Sequence, residues 1–297
     1  MKALITGGGG QLASDLARLL GSGARSYAHA ELDITDVSAV ERVLDAEQPD
    51  VVFNCAAYHN VDACEQNPEL AWRTNVDAVR ELAKRSPALV HLSTNYVFDG
   101  DRDLPYGEDD LPSPRSIYAL TKLAGEYAAL AYGRRVLAVR TAGLYGLHGS
   151  ASKGGNFVTR MIVRAQDQGA LSVVADQRLQ PTFTADLARA IIDAVQRGVD
   201  GLVHLTSSGE CSWHEFTVAI MERAQLTVPV EPIATARGEG QISRPPNGVL
   251  ARPRADALGL PVLRSWEDML DDYMAAAGLV PHRAPDDGAR HDERAAT

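Results

Sequence analysis

A chain of 297 residues with 45% hydrophobic side chains is long enough for one large domain or two small ones around an ordinary core. Its formal net charge of -10 argues against a nucleic-acid partner, because phosphate contacts need a basic face. No run approaches the roughly 20 apolar residues that cross a bilayer, and Cys55, Cys64 and Cys211 have neither paired nor metal-ligand spacing, so the chain reads as cytoplasmic, with reduced thiols and no metal site.

The apolar run from Lys2 to Thr6 predicts a first strand that ends at four glycines. Leu12, Leu16, Leu19 and Leu20 then share one face of a predicted helix over 11–20. A second strand is expected over 24–28, followed by a helix that Thr35 or Asp36 can cap. Val51, Val52 and Phe53 predict a buried third strand, and Pro68 opens a helix expected to run to about Arg85. A fourth strand over 89–93 precedes a long loop, 99–115, rich in Pro, Gly and Asp. A helix over 117–132 and a fifth strand over 136–141 complete the alternation, which predicts an α/β fold: a Rossmann-type doubly wound parallel sheet covered on both faces. After Tyr145 the rhythm changes. Helices are expected over 156–168, 184–196, 213–224 and 265–277, and strands over 171–174 and 202–205. The expected division is a dinucleotide-binding domain of 1–145 with 183–210, and a smaller substrate-binding domain of 146–182 with 211–280. Residues 281–297 are charged, lack apolar periodicity and are expected to be a disordered tail.

The glycines fit a dinucleotide fingerprint in two registers, Gly8-x-Gly10-x-x-Ala13 and Gly7-x-x-Gly10-x-x-Ala13. Both give a tight turn whose backbone N–H groups approach a pyrophosphate at a helix N-terminus. The choice between NADPH and NADH stays open. Glu31 lies where an acid binds a ribose hydroxyl, and His29 could equally lie beside a 2′-phosphate.

Tyr118 and Lys122 lie one helical turn apart and so project from one face. The chain has only four Lys and relies on Arg for its other basic groups, yet it places Lys here, where a compact ammonium suits a role beside a phenol. An unperturbed Tyr has a pKa of about 10. A neighbouring ammonium is expected to lower it towards the range of a general acid. Ser93 and Thr94 end the fourth strand, at the carboxyl edge where ligands of such sheets bind, so Thr94 is placed to hydrogen-bond a substrate oxygen that Tyr118 protonates. Asn95 and Tyr96 are expected to line the same site, while His59, Asp62 and Glu65 read as a solvated helix start and not as metal ligands.

These residues lie within a longer series: I-T-G-G-G-G-Q-L, L-D-I-T-D, N-C-A-A-Y, L-S-T-N-Y-V-F-D-G, Y-A-L-T-K-L-A-G-E, R-T-A-G-L-Y-G, D-Q-R-L-Q-P-T and R-P-P-N-G-V-L. The series resembles the extended short-chain dehydrogenases/reductases, and within them the dTDP-4-dehydrorhamnose reductase family. The resemblance implies NADPH- or NADH-dependent reduction of the C4 ketone of a dTDP-linked 6-deoxyhexulose, in deoxysugar or dTDP-L-rhamnose biosynthesis. It implies that Gly7, Gly10, Gln11 and Leu12 hold the pyrophosphate, that Asp33 and Ile34 meet the adenine, and that Ala56, Ala57 and Tyr58 line the cofactor. It implies a catalytic trio of Thr94, Tyr118 and Lys122, with Lys122 also on the nicotinamide ribose. Asn95, Tyr96, Asn156, Gln180 and Arg244 are implied on the nucleotide-sugar. A homodimer is compatible with it.

The chain departs from the family at Asn95 (usually Asp), Gly143 (usually Trp), Leu179 (usually Gly), Gly248 (usually Ser) and His29 (often Arg). Most of these departures fall on the substrate side and imply a specialised deoxysugar. Two rival readings share the motifs. A nucleotide-sugar epimerase would keep NAD bound with no net consumption. A non-catalytic NADP-binding subunit, like the regulatory subunit of methionine adenosyltransferase, would oxidise nothing. A dehydratase is disfavoured because Asn95 and Tyr96 stand where its acid–base pair follows the Thr.

Overall fold

The structure is a computed structural model that describes residues 1–148, 155–236, 238 and 241–280. The expected disordered tail lies outside the described residues. The first half alternates as the sequence predicts: β1 (Ala3–Thr6), α1 (Gln11–Leu20), β2 (Ala24–Tyr27), α2 (Val37–Glu47), β3 (Val51–Asn54), α3 (Val61–Gln66), α4 (Pro68–Trp72), α5 (Ala78–Arg85), β4 (Leu89–Thr94), α6 (Ile117–Tyr132) and β5 (Val136–Thr141). Then follow β6 (Leu144–Tyr145), α7 (Phe157–Gln168), β7 (Leu171–Val174), β8 (Arg178–Leu179), β9 (Thr182–Phe183), α8 (Thr184–Gln196), β10 (Gly201–His204), β11 (Cys211–Ser212), α9 (Trp213–Arg223), β12 (Val230–Ile233), α10 (Pro253–Ala257) and α11 (Trp266–Ala276).

Six parallel strands form the central sheet in the order β10-β5-β4-β3-β1-β2. Side chains alternate between its faces, and each face has its own apolar cluster. Leu4, Val52, Leu89 and Val136 pack with Val79, Leu82 and Ala129 from α5 and α6. Ile5, Phe53, Val90 and Val139 pack on the other face with Leu16 from α1 and Ile191 from α8. This second cluster continues without a break into Phe216, Met269 and Tyr273 of α9 and α11. The late segments are therefore built onto one face of the sheet, and small strand pairs (β6 with β9, β8 with β11, β7 with β12) tie them together.

One element differs from its sequence reading. The sequence predicts a single helix over 68–85, but the chain passes from α4 through a π-helical turn, Arg73–Asp77, into α5. The tertiary reason is close packing: a Cβ on Gly125 of α6 would lie 2.0 Å from the Asn75 carbonyl oxygen in that turn. A wider turn pushes the backbone against α6 and aims the Asn75 side chain inward, as π-bulges at functional sites commonly do.

Candidate active site

The glycine turn joins β1 to α1 at the carboxyl edge of the sheet. Gly7 has φ +71, and a Cβ there would lie 2.8 Å from the backbone nitrogen of Ala56 and the carbonyl carbon of Cys55. Only glycine allows this approach. Gly9 faces open space, and Gly10 caps α1 with no side chain over its first N–H groups. The Gln11 side-chain oxygen is buried with no partner. An uncapped helix N-terminus behind a side-chain-free turn fits the pyrophosphate of a dinucleotide. Thr6 sits beneath the turn: it donates to Asn54 Oδ1 (2.7 Å) and accepts from the Ala56 N–H (3.4 Å).

At the end of β2, Glu31 turns back to accept from the Ala28 N–H at 2.8 Å, and His29 is exposed beside it. Asp33 accepts from the Thr35 backbone and hydroxyl, both at 2.9 Å. Burial would raise its carboxyl, but these bonds and the charges of His29 and Arg73 hold it below the ordinary value.

Tyr118 lies in the first turn of α6. Ser116 caps that helix through the Ala119 N–H, and Glu65 accepts from the Ile117 N–H at 2.6 Å. Tyr96, in a 3-10 turn directly after β4, meets the Tyr118 ring edge-on with centroids 5.8 Å apart. Burial pushes the Tyr118 phenol up to about 12, and a hydrogen bond with Thr94 acts in the opposite direction. Thr94 itself accepts from the Tyr96 N–H at 3.2 Å. The fold thus brings Thr94, Tyr96 and Tyr118 together at the end of β4.

Lys122 corrects one expectation. The one-turn spacing predicts that its ammonium lowers the pKa of Tyr118, but its Nζ donates to the Leu92 carbonyl at 2.5 Å, and Tyr118 is not lowered by it. Burial brings Lys122 down to about 8, while Glu126, one turn further along α6, holds it up. The physical reason is that a buried amine needs an acceptor, and the Leu92 carbonyl of β4 supplies one. Lys122 is still on the cofactor side. Its charge acts on Cys55, whose backbone Gly7 touches and whose thiol burial pushes up to about 12.

Three residues expected on the sugar have their amides engaged within the protein. Asn95 donates to the Gly248 carbonyl at 2.9 Å and accepts from the Thr94 hydroxyl at 3.3 Å. Asn156 caps α7 through the Thr159 N–H and places its Nδ2 2.8 Å from the Gly146 carbonyl and 2.7 Å from the Tyr273 hydroxyl. Gln180 brackets the Leu250 backbone, accepting from its N–H at 2.8 Å and donating to its carbonyl at 3.2 Å. Arg244 is exposed and faces Asp62 at 3.7 Å, and both charges act on the half-buried Tyr96. Asp62 and Glu65 therefore serve as an ion-pair partner and a helix cap.

Four of the five positions at which the resemblance leads one to expect another residue meet in pairs. Leu179 Cδ1 lies 2.9 Å from where a Cβ on Gly143 would stand, and Asn95 Nδ2 lies 2.2 Å from where one on Gly248 would stand. Each glycine makes room for the larger residue opposite it.

Sequence reasoning missed three supporting groups. Asn75 clamps Tyr58, accepting from its N–H at 2.8 Å and donating to its carbonyl at 3.0 Å, and so fixes the Ala56–Ala57–Tyr58 segment. His91 is fully buried behind Lys122 and paired with Asn54 at 3.2 Å. Burial, then the Lys122 charge, hold it neutral. Glu126 accepts from Nε and one terminal nitrogen of the Arg140 guanidinium, at 2.9 and 2.6 Å, with both side chains buried. Only the spacing of Glu126 from Lys122 carried a signal, since i and i+4 share a helix face.

The parallel sheet, the glycine turn and the neighbouring Thr94 and Tyr118 define a class, the Rossmann-type extended short-chain dehydrogenases/reductases. The sequence profile described as "RmlD substrate binding domain" matches residues 1–278. The chain is 41% identical over 281 residues to a protein of Streptomyces antibioticus named "Probable dTDP-4,6-dihydroxy-2-methyloxan-3-one 4-ketoreductase", covering 91% of this chain and 93% of the relative. It is 38% identical over 285 residues to the dTDP-4-dehydrorhamnose reductase of Mycolicibacterium smegmatis, covering 93% and 85% of the two. The crystal structure of dTDP-4-dehydrorhamnose reductase from Bacillus anthracis in complex with NADP superimposes with a TM-score of 0.87 at 34% identity, covering 93% of this chain and all of that one. The chain belongs to the dTDP-4-dehydrorhamnose reductase family.

Proposed function

We propose that the chain reduces the C4 ketone of a dTDP-linked 4-keto-6-deoxyhexose with NADPH, or with NADH. The neighbourhood of Thr94 and Tyr118 at the end of β4 supports this reading most, because a carbonyl oxygen bound there would lie beside both side chains. A bound reduced nicotinamide supplies the hydride that adds to the ketone carbon. Tyr118 gives its phenolic proton to the oxygen, and Thr94 steadies that oxygen by hydrogen bonding. Lys122 would hold the ribose hydroxyls of the bound cofactor, and its charge there would favour the phenolate of Tyr118. Gly7, Gly10, Gln11 and Leu12 hold the pyrophosphate, Asp33 and Ile34 meet the adenine, and Ala56, Ala57 and Tyr58 line the nicotinamide side. Residues 1–145 and 183–210 carry the dinucleotide, and residues 146–182 and 211–280 carry the sugar. Tyr96 and the exposed Arg244, which Asp62 pairs at 3.7 Å, touch the nucleotide-sugar. Asn95, Asn156 and Gln180 shape its pocket, since their amides are already engaged.

The name of the Streptomyces antibioticus relative describes a ring with one methyl, one ketone and two hydroxyls. The carbon it leaves bare is C2 of the hexose, so a 2,6-dideoxy-4-ketosugar is the first substrate to assay. The test follows absorbance of NADPH with dTDP-4-keto-6-deoxyhexoses. Turnover is expected, and Tyr118→Phe should lower kcat by roughly 10²–10⁴-fold with cofactor binding retained. Tight cofactor binding with no oxidation of NADPH by any of these sugars would refute the reductase and favour the epimerase or the binding subunit.

A further inference from the structure

We infer that Arg73 is a cofactor-specificity residue: its guanidinium is the counter-charge for the 2′-phosphate of NADPH, and it sets a preference for NADPH over NADH. The inference rests on the dinucleotide reading above and not on the identity of the sugar. The glycine turn fixes where the adenosine end lies. The Gly8 N–H donates to the Tyr27 carbonyl at 2.7 Å, and a Cβ on Gly8 would lie 2.8 Å from the Ala28 nitrogen. The end of β2 therefore abuts the turn suited to a pyrophosphate. In this fold class the ribose 2′-position of a dinucleotide lies just beyond that strand end. Two carboxylates occupy the corner. Glu31 folds back onto the Ala28 N–H at 2.8 Å, and Asp33 accepts from the Thr35 backbone and hydroxyl, both at 2.9 Å.

Arg73 reaches the same corner from a distant part of the chain. Val40 and Leu44 of α2 pack with Val79 and Leu82 of α5 in one cluster, so the two helices lie side by side on one face of the sheet. Helices that follow parallel strands begin at the carboxyl edge, where ligands bind. Asp33 leads into α2, and the π-helical turn that Arg73 opens leads into α5, so both stand at that edge. Arg73 is exposed, and among the described residues its side chain joins no ion pair and donates no hydrogen bond. Its charge acts on the Asp33 carboxylate, as does that of His29. The turn is held in place by Asn75, which bonds both backbone groups of Tyr58 at 2.8 and 3.0 Å.

Charge decides the selection. A 2′-phosphate brings about two negative charges into a corner that already holds Glu31 and Asp33. A ribose hydroxyl brings none. The phosphate therefore needs a cation there, and the hydroxyl does not. A guanidinium is always protonated and grips phosphate oxygens through paired N–H donors.

The test titrates NADPH and NADH into wild type, Arg73→Gln and Arg73→Lys, with no sugar present, and reads Kd from nicotinamide fluorescence. Wild type should bind NADPH about tenfold or more tightly than NADH. Arg73→Gln should weaken NADPH by about tenfold and leave NADH within about twofold, and Arg73→Lys should keep most of the NADPH affinity. The gap between wild type and Arg73→Gln should narrow as salt is raised. A wild type that binds NADH as tightly as NADPH overturns the inference whether or not the variants fold. An equal loss for both cofactors in folded Arg73→Gln, or no loss for either, also overturns it. Binding of neither cofactor by wild type defeats the dinucleotide reading and this inference with it. Selective, Arg73-dependent binding of NADPH without turnover of any ketosugar supports the inference and defeats the reductase reading alone.

Discussion

Replacing Glu126 by Gln should destabilise the protein severely and alter the amine that the reaction uses. Arg140 is 1% exposed, and Glu126 accepts from its Nε and from one of its terminal nitrogens. The other neighbours of the guanidinium cannot neutralise it. His204 donates through Nδ1 to the Ala251 carbonyl at 2.7 Å, so its Nε2 is an acceptor, 3.5 Å from Arg140. That ring stays neutral because burial, partly offset by Glu108 and reinforced by Arg140, brings its pKa down to about 4. The Phe98 ring lies 5.1 Å from the cation. The neutral amide of Glu126→Gln would leave a buried charge without a counterion, at a cost of about 3–5 kcal/mol. For a chain of this size that is on the order of 10 °C in Tm. Glu126→Leu with Arg140→Met removes both charges and should recover most of the loss. Urea unfolding of the single and double variants measures the difference. A cost below about 1 kcal/mol for Glu126→Gln, or a double variant no more stable than the single, would refute the argument. The same substitution removes the carboxylate that holds Lys122 up, so the high-pH limb of kcat/KM should move to lower pH.

Two further outcomes follow from the site. Asn95→Asp sets a carboxylate against the Gly248 carbonyl in place of a 2.9 Å donor, and should cost about 1–3 kcal/mol at neutral pH. The deficit should shrink in acid, where a protonated Asp can donate again; a variant as stable as wild type at pH 7 in urea unfolding would contradict this. Lys122 is lowered in the folded state, so between about 8 and the ordinary 10.5 the unfolded chain binds the extra proton and stability rises with pH. Lys122→Met should therefore gain on wild type most below pH 8 and lose that advantage towards pH 10.5, by about 1.4 kcal/mol per pH unit, as unfolding at several pH values will show.

Local chemistry made much of the molecule legible from its residues alone. Apolar runs bounded by glycine and proline marked the strands in order, and the spacing of Leu12, Leu16 and Leu20 marked α1. Asp36, one of the two residues read as a possible cap, does cap α2, through a hydrogen bond that spans only three residues. The glycine turn and the one-turn spacing of Tyr118 and Lys122 are likewise local, and they pointed to a nucleotide and a proton donor together. What the chain could not reveal by itself depends on residues far apart in sequence. The π-helical turn at 73–77 packs against α6, where Gly125 meets the Asn75 carbonyl 50 positions away. Lys122 faces Leu92, and the amides of Asn95 and Gln180 are claimed by Gly248 and Leu250, 153 and 70 positions away. The glycines at 143 and 248 read as isolated losses until folding set Leu179 and Asn95 against them. A buried polar or bulky group is satisfied by whatever the fold brings within a few ångströms, and no short stretch of sequence encodes that neighbour.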